Sequence, residues 1–274
     1  MTRGRVLIVA GSDSGGGAGI QADIKAVTAL GAFAMTALTA LTAQNTEGVV
    51  NVLPVPPGFI REQINVVVSD LGVDAVKTGM LHDAAVIEAV AEELASLPAA
   101  VPIVVDPVMV AKGGQRLLEE SAVEALTRLM IPRASLITPN VPEAEALSGM
   151  AILDVAAMRR VAERLMAFGC AAVLLKGGHL PGERVTDLLA TREGVETFES
   201  ARIETRHTHG TGCTLASAVA AGLAQGMGLR EAVIRARHYV LLAMASAPGY
   251  GRGHGPLDHA VTVDPARVAA LSRG

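Results

Sequence analysis

The sequence Val6-Leu-Ile-Val9 leads into Gly11-Ser-Asp-Ser-Gly-Gly-Gly-Ala-Gly19, and a helical pattern follows over about residues 18–30. The first segment is short, apolar and rich in β-branched residues, which is typical of a buried strand. Five glycines then let the backbone turn sharply and approach a ligand closely. This order of strand, glycine-rich loop and helix predicts an α/β protein.

The same alternation continues along the chain. Strands are predicted at 6–9, 33–38, 75–77, 101–105, 135–138 and 172–175. Helices are predicted at 18–30, 58–70, 84–96, 118–130, 154–168, 212–225 and 229–246. This spacing predicts a mostly parallel sheet covered by helices on both faces. Because no low-complexity linker or internal repeat interrupts the pattern, we expect a single domain over residues 1–274.

Composition excludes several classes of protein. Lys and Arg total 23 against 27 Asp and Glu, giving a net charge of −4, so no basic field attracts nucleic acid or an anionic membrane surface. One long uncharged stretch, residues 26–46, contains five Thr, and it predicts a helix turning into a strand at Gly31 rather than a membrane span. Cys170 and Cys213 form neither a disulfide framework nor a Cys-x-x-Cys motif, which favours a reducing cytoplasm.

The glycine-rich loop does not specify a nucleotide motif by itself. It lacks the Lys-Ser/Thr pair of a Walker A loop, and it meets the dinucleotide fingerprint only loosely, as Gly17-x-Gly19-x-x-Ala22. A tight strand-to-helix turn is the alternative reading, in which Asp23 is a solvated charge. Neither a P-loop NTPase nor an NAD enzyme is well supported.

Thr208-His-Gly-Thr-Gly-Cys213 leads directly into an apolar helix and is the sharpest candidate site. Small residues at 210–212 leave backbone N–H groups free at a helix N-terminus, where the macrodipole favours an anion, so this segment predicts a phosphate cradle. Cys213 lies in the first turn, a position that lowers a thiol pKa and would allow it to accept a proton. The alternative is a small core residue, which is our interpretation of Cys170.

Charged residues follow three further predicted strands. Lys176, one of only four lysines, ends an apolar strand and would neutralise phosphate charge in the crevice unless it is simply an edge charge in water. Asp106, Asn140 and Glu143 supply the oxygen ligands that Mg²⁺ prefers, although each alone could be a cap or turn residue. Together with the cradle, these residues describe phosphoryl transfer.

Eight segments together resemble the hydroxymethylpyrimidine/phosphomethylpyrimidine kinases of the ribokinase-like superfamily over essentially the whole chain. They are Gly11 to Asp23, Ala40-Leu-Thr-Ala-Gln44-Asn-Thr, Lys77-Thr-Gly-Met80, Asp106-Pro-Val-Met-Val, Thr138-Pro-Asn-x-Pro-Glu143, Lys176-Gly-Gly-His, Thr208 to Cys213 and Gly253-His-Gly-Pro256. The resemblance implies a ribokinase-like three-layer α/β/α sandwich, ATP with Mg²⁺, and two successive phosphorylations of 4-amino-5-hydroxymethyl-2-methylpyrimidine. It also implies a homodimer.

The resemblance further implies residue roles. The substrate-binding set is Gly11, Asp23, Gln44, Met80 and Val108, with Gln44 on the aminopyrimidine edge and Asp23 near the hydroxymethyl group. The anion hole consists of Gly210, Thr211 and Gly212. Lys176, Thr208 and His209 would contact ATP, and Asp106, Asn140 and Glu143 would organise Mg²⁺ directly or through water. Cys213 would be the base.

Two rival functions stay open on sequence alone. A pyridoxal or pyridoxine kinase on the same fold is the nearest, although Gln44 favours a pyrimidine. A catalytically silent pyrimidine or nucleotide sensor is the other, and the charged strand-end residues argue against it. We expect a stand-alone kinase, and the loops at 110–116 and 248–256 are the candidates for closing over the substrate.

Overall fold

The computed structural model describes residues 3–110, 114, 117–118 and 120–270. Ten strands occur in this part of the chain. They are β1 (Arg5–Ala10), β2 (Phe33–Leu38), β3 (Ala40–Gln44), β4 (Val49–Pro54), β5 (Ala75–Thr78), β6 (Ile103–Val105), β7 (Leu136–Ile137), β8 (Ala172–Leu175), β9 (Arg184–Thr191) and β10 (Gly194–Ala201). All six strands expected from the sequence are confirmed, and β3, β4, β9 and β10 are additional.

Helices follow most of these strands. They are α1 (Gly19–Ala29), α2 (Pro57–Leu71), α3 (Ala84–Ala95), α4 (Glu120–Ala125), α5 (Val141–Ser148), α6 (Val155–Met166), α7 (Thr211–Ala224), α8 (Leu229–Ala245) and α9 (Pro265–Ala270). The helix expected over 118–130 is shorter as an α-helix, because a π-helical turn at Leu126–Met130 replaces its second half. No helix among the described residues is long and apolar enough to cross a membrane.

Eight strands form one sheet in the order β10-β9-β8-β7-β6-β5-β1-β2. The strands from β8 to β2 run parallel, whereas β9 and β10 extend the sheet as an antiparallel hairpin. Strands β3 and β4 form a separate antiparallel hairpin. The expectation of a mostly parallel sheet is therefore confirmed, with antiparallel additions at one edge and outside the sheet.

Both faces of the sheet are covered, as β1 illustrates. Leu7 and Val9 point into one apolar core, while Val6 and Ile8 point into the other, because successive side chains of a strand alternate between its faces. All four are fully buried. The fold is thus a three-layer α/β/α sandwich, and the carboxyl ends of the parallel strands open at one edge, where ligands bind in such sheets.

A buried ion pair joins strand β5 of the sheet to helix α1. Lys77 on β5 reaches Asp23 on α1, with Nζ 2.9 Å from each carboxylate oxygen, and both side chains are fully excluded from solvent. Ser217 on α7 donates a third hydrogen bond, of 2.6 Å, to Asp23 Oδ1. Burial opposes the charge on Lys77, but the Asp23 carboxylate outweighs it and the pKa of Lys77 is raised. The pair therefore holds β5, α1 and α7 in one arrangement.

Replacing only one member of this pair leaves the other as an uncompensated buried charge. We predict that Lys77→Met lowers the free energy of unfolding by about 3–5 kcal/mol, whereas Lys77→Met/Asp23→Leu recovers much of this loss. Urea denaturation of both variants measures the difference. Equal losses in the single and double variants would show that the charge on Asp23 is not the cause.

Candidate functional site

One cavity of about 760 Å³ lies at the carboxyl ends of the parallel strands. Every site residue predicted from the sequence lines it except Asp23. Gly11, Gln44, Met80 and Val108 line one end, and the 208–213 segment lies beside it. The loops after β1, β5, β6, β7 and β8 therefore converge on a single site, as their order in the sheet requires.

The predicted anion cradle is formed at the start of α7. Gly210 caps the helix in the left-handed region, with φ 80°, and a Cβ there would collide with the carbonyl of Gly17. Glycine is thus required both by the backbone and by the close approach of the glycine-rich loop. The first-turn N–H groups of an α-helix have no partner within the helix. The N–H of Thr211 makes a long bond of 3.4 Å to the Thr208 carbonyl, so the N–H groups of Gly212 and Cys213 are the ones best placed to bind an anion.

Lys176 lies against this cradle. A Cβ on Gly212 would be 3.1 Å from its Nζ, which is itself 3.2 Å from Asp106 Oδ1. Burial opposes the charge on Lys176, but Asp106 and Glu143 outweigh it and raise its pKa. The lysine is therefore a fixed, protonated cation beside the cradle, rather than an edge charge in water.

The three predicted magnesium ligands lie together but are not equally available. Asn140 and Glu143 form a capping box at the start of α5, with backbone-to-side-chain distances of 2.8 and 2.9 Å. Asp106 accepts bonds from Thr138 and Lys176 through Oδ1, and its Oδ2 faces Gly212. These capping bonds use Asn140 Oδ1 and Glu143 Oε2, and the expected organisation of Mg²⁺ by the three residues, directly or through water, stays a prediction.

A hydrated Mg²⁺ nevertheless suits these residues. Among the described residues, no group of three or more His, Cys, Asp or Glu side chains could enclose a metal. Mg²⁺ commonly uses one or two carboxylates with retained waters and phosphate oxygens. Asp106 and Glu143, which are both buried and both line the cavity, supply such carboxylates. Burial, with the Asp106 charge adding to it, raises the pKa of Glu143 to about 7.

Cys213 lies in the first turn of α7, as expected, but its ionisation differs from the expectation. Its side chain is partly buried in the cavity wall, where burial raises its pKa to about 12. Lys77 and the backbone N–H of Gly19 oppose this rise without overcoming it, and Asp23 and Asp106 add to it. The expected lowering by the helix N-terminus is therefore wrong for the unliganded protein, in which Cys213 is a neutral thiol.

Asp23 is the second correction. The resemblance predicted it near the hydroxymethyl group of a substrate, yet the carboxylate is fully buried and occupied by Lys77 and Ser217. It lies behind the cavity wall and acts on Cys213 only through its charge. Sequence reasoning missed the pairing because Lys77, although quoted in a motif, carries no sequence signal that identifies a partner 54 positions away.

His209 lines the cavity and also joins two loops. Its ring Nε2 lies 2.8 Å from Asp13 Oδ2 in the glycine-rich loop and 3.4 Å from the amide of Gln44, and the contact with ATP expected from the resemblance stays a prediction. Its backbone N–H donates to the Gly255 carbonyl, which brings a third loop to the same place. His209 therefore connects the cradle to the end of the cavity lined by Gln44, and Asp13 is a site residue that the sequence analysis missed.

The β3–β4 hairpin and the Gly/Pro-dense loop at 248–256 are bonded to each other. The backbone N–H of His254 donates to the Thr46 carbonyl at 2.8 Å, and that of Gly253 donates to the Thr46 hydroxyl at 3.3 Å. Arg252 adds an exposed ion pair with Glu47. The loop thus fixes the hairpin turn, whereas residues 111–113, 115 and 116 of the other candidate lid lie outside the described residues.

The cavity is also lined by an ion pair between Arg237 and Asp187, which the sequence did not indicate. Arg237 on α8 donates to Asp187 on β9 at 2.9 Å, and Asp187 also accepts from the backbone N–H of Gly177, next to Lys176. In the sequence, two strand-like segments are separated by Arg192-Glu193-Gly194, and this pattern is a signal for the hairpin of β9 and β10. This hairpin thereby supports the strand end that carries Lys176.

The fold and site together define a class: a ribokinase-like α/β enzyme with a phosphate cradle, a fixed lysine and an acidic strand end. The model of the phosphomethylpyrimidine kinase family matches residues 13–258. The chain therefore belongs to the phosphomethylpyrimidine kinase family.

Individual relatives agree. A hydroxymethylpyrimidine/phosphomethylpyrimidine kinase of Streptomyces coelicolor is 50% identical over 93% of each chain. The thiamine biosynthesis bifunctional protein ThiED of Geobacter sulfurreducens is 52% identical over 97% of this chain, which spans 54% of that longer protein. A solved Staphylococcus aureus pyridoxal kinase in complex with AMP-PCP and pyridoxal has a TM-score of 0.88 and 32% identity, covering 97% of this chain and 96% of the other.

The raised pKa of Glu143 predicts a pH dependence of stability. The folded state holds a proton on this carboxyl between pH 4.5 and about 7, where the unfolded state has lost it, so stability falls as pH rises through this range. Glu143→Gln keeps the capping geometry and removes this titration. Denaturation between pH 5 and 8 should therefore show a smaller decline for the variant, and parallel declines would contradict the assignment.

Proposed function

We propose that this protein transfers the γ-phosphoryl group of ATP to the hydroxymethyl group of 4-amino-5-hydroxymethyl-2-methylpyrimidine, and then a second group to the resulting monophosphate, in thiamine biosynthesis. The observation that carries the proposal is a single cavity lined both by Gly11, Gln44, Met80 and Val108 and by the cradle, Lys176 and Cys213. One region, lined by Gly11, Gln44, Met80 and Val108, suits a small polar ring. The other is the cradle with Lys176.

The residues divide the work of phosphoryl transfer. Gly210, Thr211 and Gly212 would hold the transferring group through backbone N–H groups, while Lys176 offsets its charge and Thr208 lies beside the nucleotide phosphates. Because the transition state is loose, holding and charge neutralisation supply most of the acceleration. Mg²⁺, held by Asp106 and, through water, by Asn140 and Glu143, would neutralise charge on the ATP phosphates.

The proton of the hydroxymethyl group needs an acceptor as its oxygen bonds to phosphorus. Cys213 is the proposed base, yet with a pKa of about 12 only a small thiolate fraction exists at neutral pH in the unliganded protein. Lys77 favours that thiolate. Proton abstraction therefore contributes less to the acceleration than holding the phosphoryl group and neutralising its charge. Its dependence on pH distinguishes it from those two contributions.

A pyridoxal kinase is the second candidate, because a solved pyridoxal kinase shares the fold closely. Its identity to this chain, 32%, is lower than the 50% of the pyrimidine kinase relative. Gln44 further supports an aminopyrimidine, since its amide can donate and accept at one ring edge.

We also propose a single-domain homodimer in the cytoplasm. Exposed apolar side chains on neighbouring elements at the β2 edge support an interface between copies: Phe33, Leu41, Val50, Leu53, Phe59 and Val66. Both cysteines are free, which suits a reducing compartment that also supplies ATP.

The substrate proposal predicts a specific product. After incubation with Mg-ATP and the hydroxymethylpyrimidine, mass analysis should find two added phosphoryl groups, because the site accepts the monophosphate as its second substrate. Incubation with pyridoxal is the control. One phosphoryl group on pyridoxal and none on the pyrimidine would contradict the proposal while keeping the phosphate site.

The base proposal predicts a pH profile. Below a pKa of about 12 the thiolate fraction rises about tenfold per pH unit, so kcat/KM should increase between pH 7 and 9. Cys213→Ala should have a lower kcat/KM and a flatter profile. A parallel rise in the variant, or turnover near that of the unmodified enzyme, would remove Cys213 as the base.

A further inference from the structure

The amide of Gln44 lies between two side chains whose hydrogen-bonding capacity is already partly used. Its Oε1 lies 3.2 Å from Thr42 Oγ1, and its Nε2 lies 3.4 Å from His209 Nε2. The O and N atoms of an amide are nearly identical in size, so the partners decide which way it points. Thr42 and His209 are both buried, at 8% and 6% exposure, so water does not supply alternative partners freely.

Thr42 determines one side of this arrangement. Its hydroxyl oxygen lies 2.9 Å from the carbonyl of Ser12, a group that can only accept. A hydroxyl has one hydrogen, so this contact uses it. What Thr42 then presents to Gln44 is a lone pair, which requires a donor, and only Nε2 of the amide is a donor.

His209 determines the other side. Its Nε2 lies 2.8 Å from Asp13 Oδ2, and that carboxylate also accepts from the backbone N–H groups of Gly17 and Ala18. Burial opposes the charge on Asp13, but these partners outweigh it and lower its pKa, so it is ionised at neutral pH. Nε2 of His209 therefore carries the hydrogen that it donates to Asp13, and it has no lone pair to accept a bond from an amide NH₂ group, so Gln44 presents Oε1 rather than Nε2 to it.

We infer that Thr42 and the Asp13–His209 pair hold the Gln44 amide with Nε2 toward Thr42 and Oε1 toward His209, and that this fixed orientation selects the order of donor and acceptor on the substrate ring. The contact with Thr42 then pairs a donor with an acceptor, and the contact with His209 no longer places two N–H donors face to face, whereas the opposite orientation achieves neither. Thr42 and His209 are thus positioning residues for Gln44. The inference rests on the proposed function for its choice of ring.

The orientation has a consequence for recognition. An aminopyrimidine presents a ring nitrogen that accepts next to an amino group that donates. A 4-oxo analogue presents the same two positions with the roles exchanged, an N–H next to a carbonyl. Because the hydroxymethyl group must reach Cys213, the ring cannot turn over to compensate. A fixed amide therefore accepts one ring and rejects the other, whereas a freely rotating amide accepts both.

Calorimetric binding of two ligands without ATP tests this inference. The probes are 4-amino-5-hydroxymethyl-2-methylpyrimidine and its 4-oxo analogue, and the variants are Thr42→Val, which keeps the shape, and Thr42→Ser, which keeps the hydroxyl. We expect the unmodified protein to prefer the amino ligand. Thr42→Val should reduce this preference by about five- to tenfold, the effect of one hydrogen bond, and Thr42→Ser should restore it.

A structural role for Thr42 would give a different result. It would weaken binding of both ligands equally and leave their ratio unchanged, and that outcome would overturn the inference. An unchanged ratio with unchanged affinities would overturn it as well.

A second measurement separates the inference from the substrate proposal. In the ligand-free protein, nuclear Overhauser effects from the Gln44 side-chain NH₂ protons should reach the Thr42 methyl group and be weak to the His209 ring. Strong effects to the His209 ring would overturn the orientation, whatever the ligand. If neither pyrimidine binds while pyridoxal does, the proposed substrate fails, and this spectrum still decides the orientation.

Discussion

The ion pair between Lys77 and Asp23 is the constraint on which the site depends. It places two full charges in the protein interior, where neither is tolerable alone, and thereby fixes β5 against α1 and α7. Helix α7 begins with the phosphate cradle, and α1 follows the glycine-rich loop. The distance between the two ligand-binding loops is thus set below the cavity as well as by the contact between Asp13 and His209 within it.

Each charged residue at the cavity is also a structural connection. Asp13 accepts backbone N–H groups that shape the glycine-rich loop and, through His209, joins it to the cradle. Asp106 joins the ends of β6 and β8 through Lys176. The charges that would face phosphate are thus restrained before any ligand arrives, so little reorganisation accompanies binding.

The sequence predicted the parallel part of the sheet well, because buried strands such as β1 and β8 are continuous apolar runs, and a loop and a helix follow most of the parallel strands. The hairpins were not predicted, since β4 and β10 contain no buried residue and lack such runs. Within the site, features built from backbone groups, such as the cradle, could be predicted from the local sequence. The roles of Asp23 and Cys213 did not, because they depend on burial and on distant partners.

The bonds between the hairpin turn and the 248–256 loop connect residues more than 200 positions apart, as with Thr46 and Gly253. During synthesis on the ribosome, the glycine-rich loop, Gln44 and the hairpin emerge first, whereas the cradle and the loop that fixes the hairpin emerge much later. A nascent chain therefore has no complete site until residues 248–256 have been made. The order of translation therefore delays ligand binding until the cradle and the 248–256 loop have been made and can fold around the ligand.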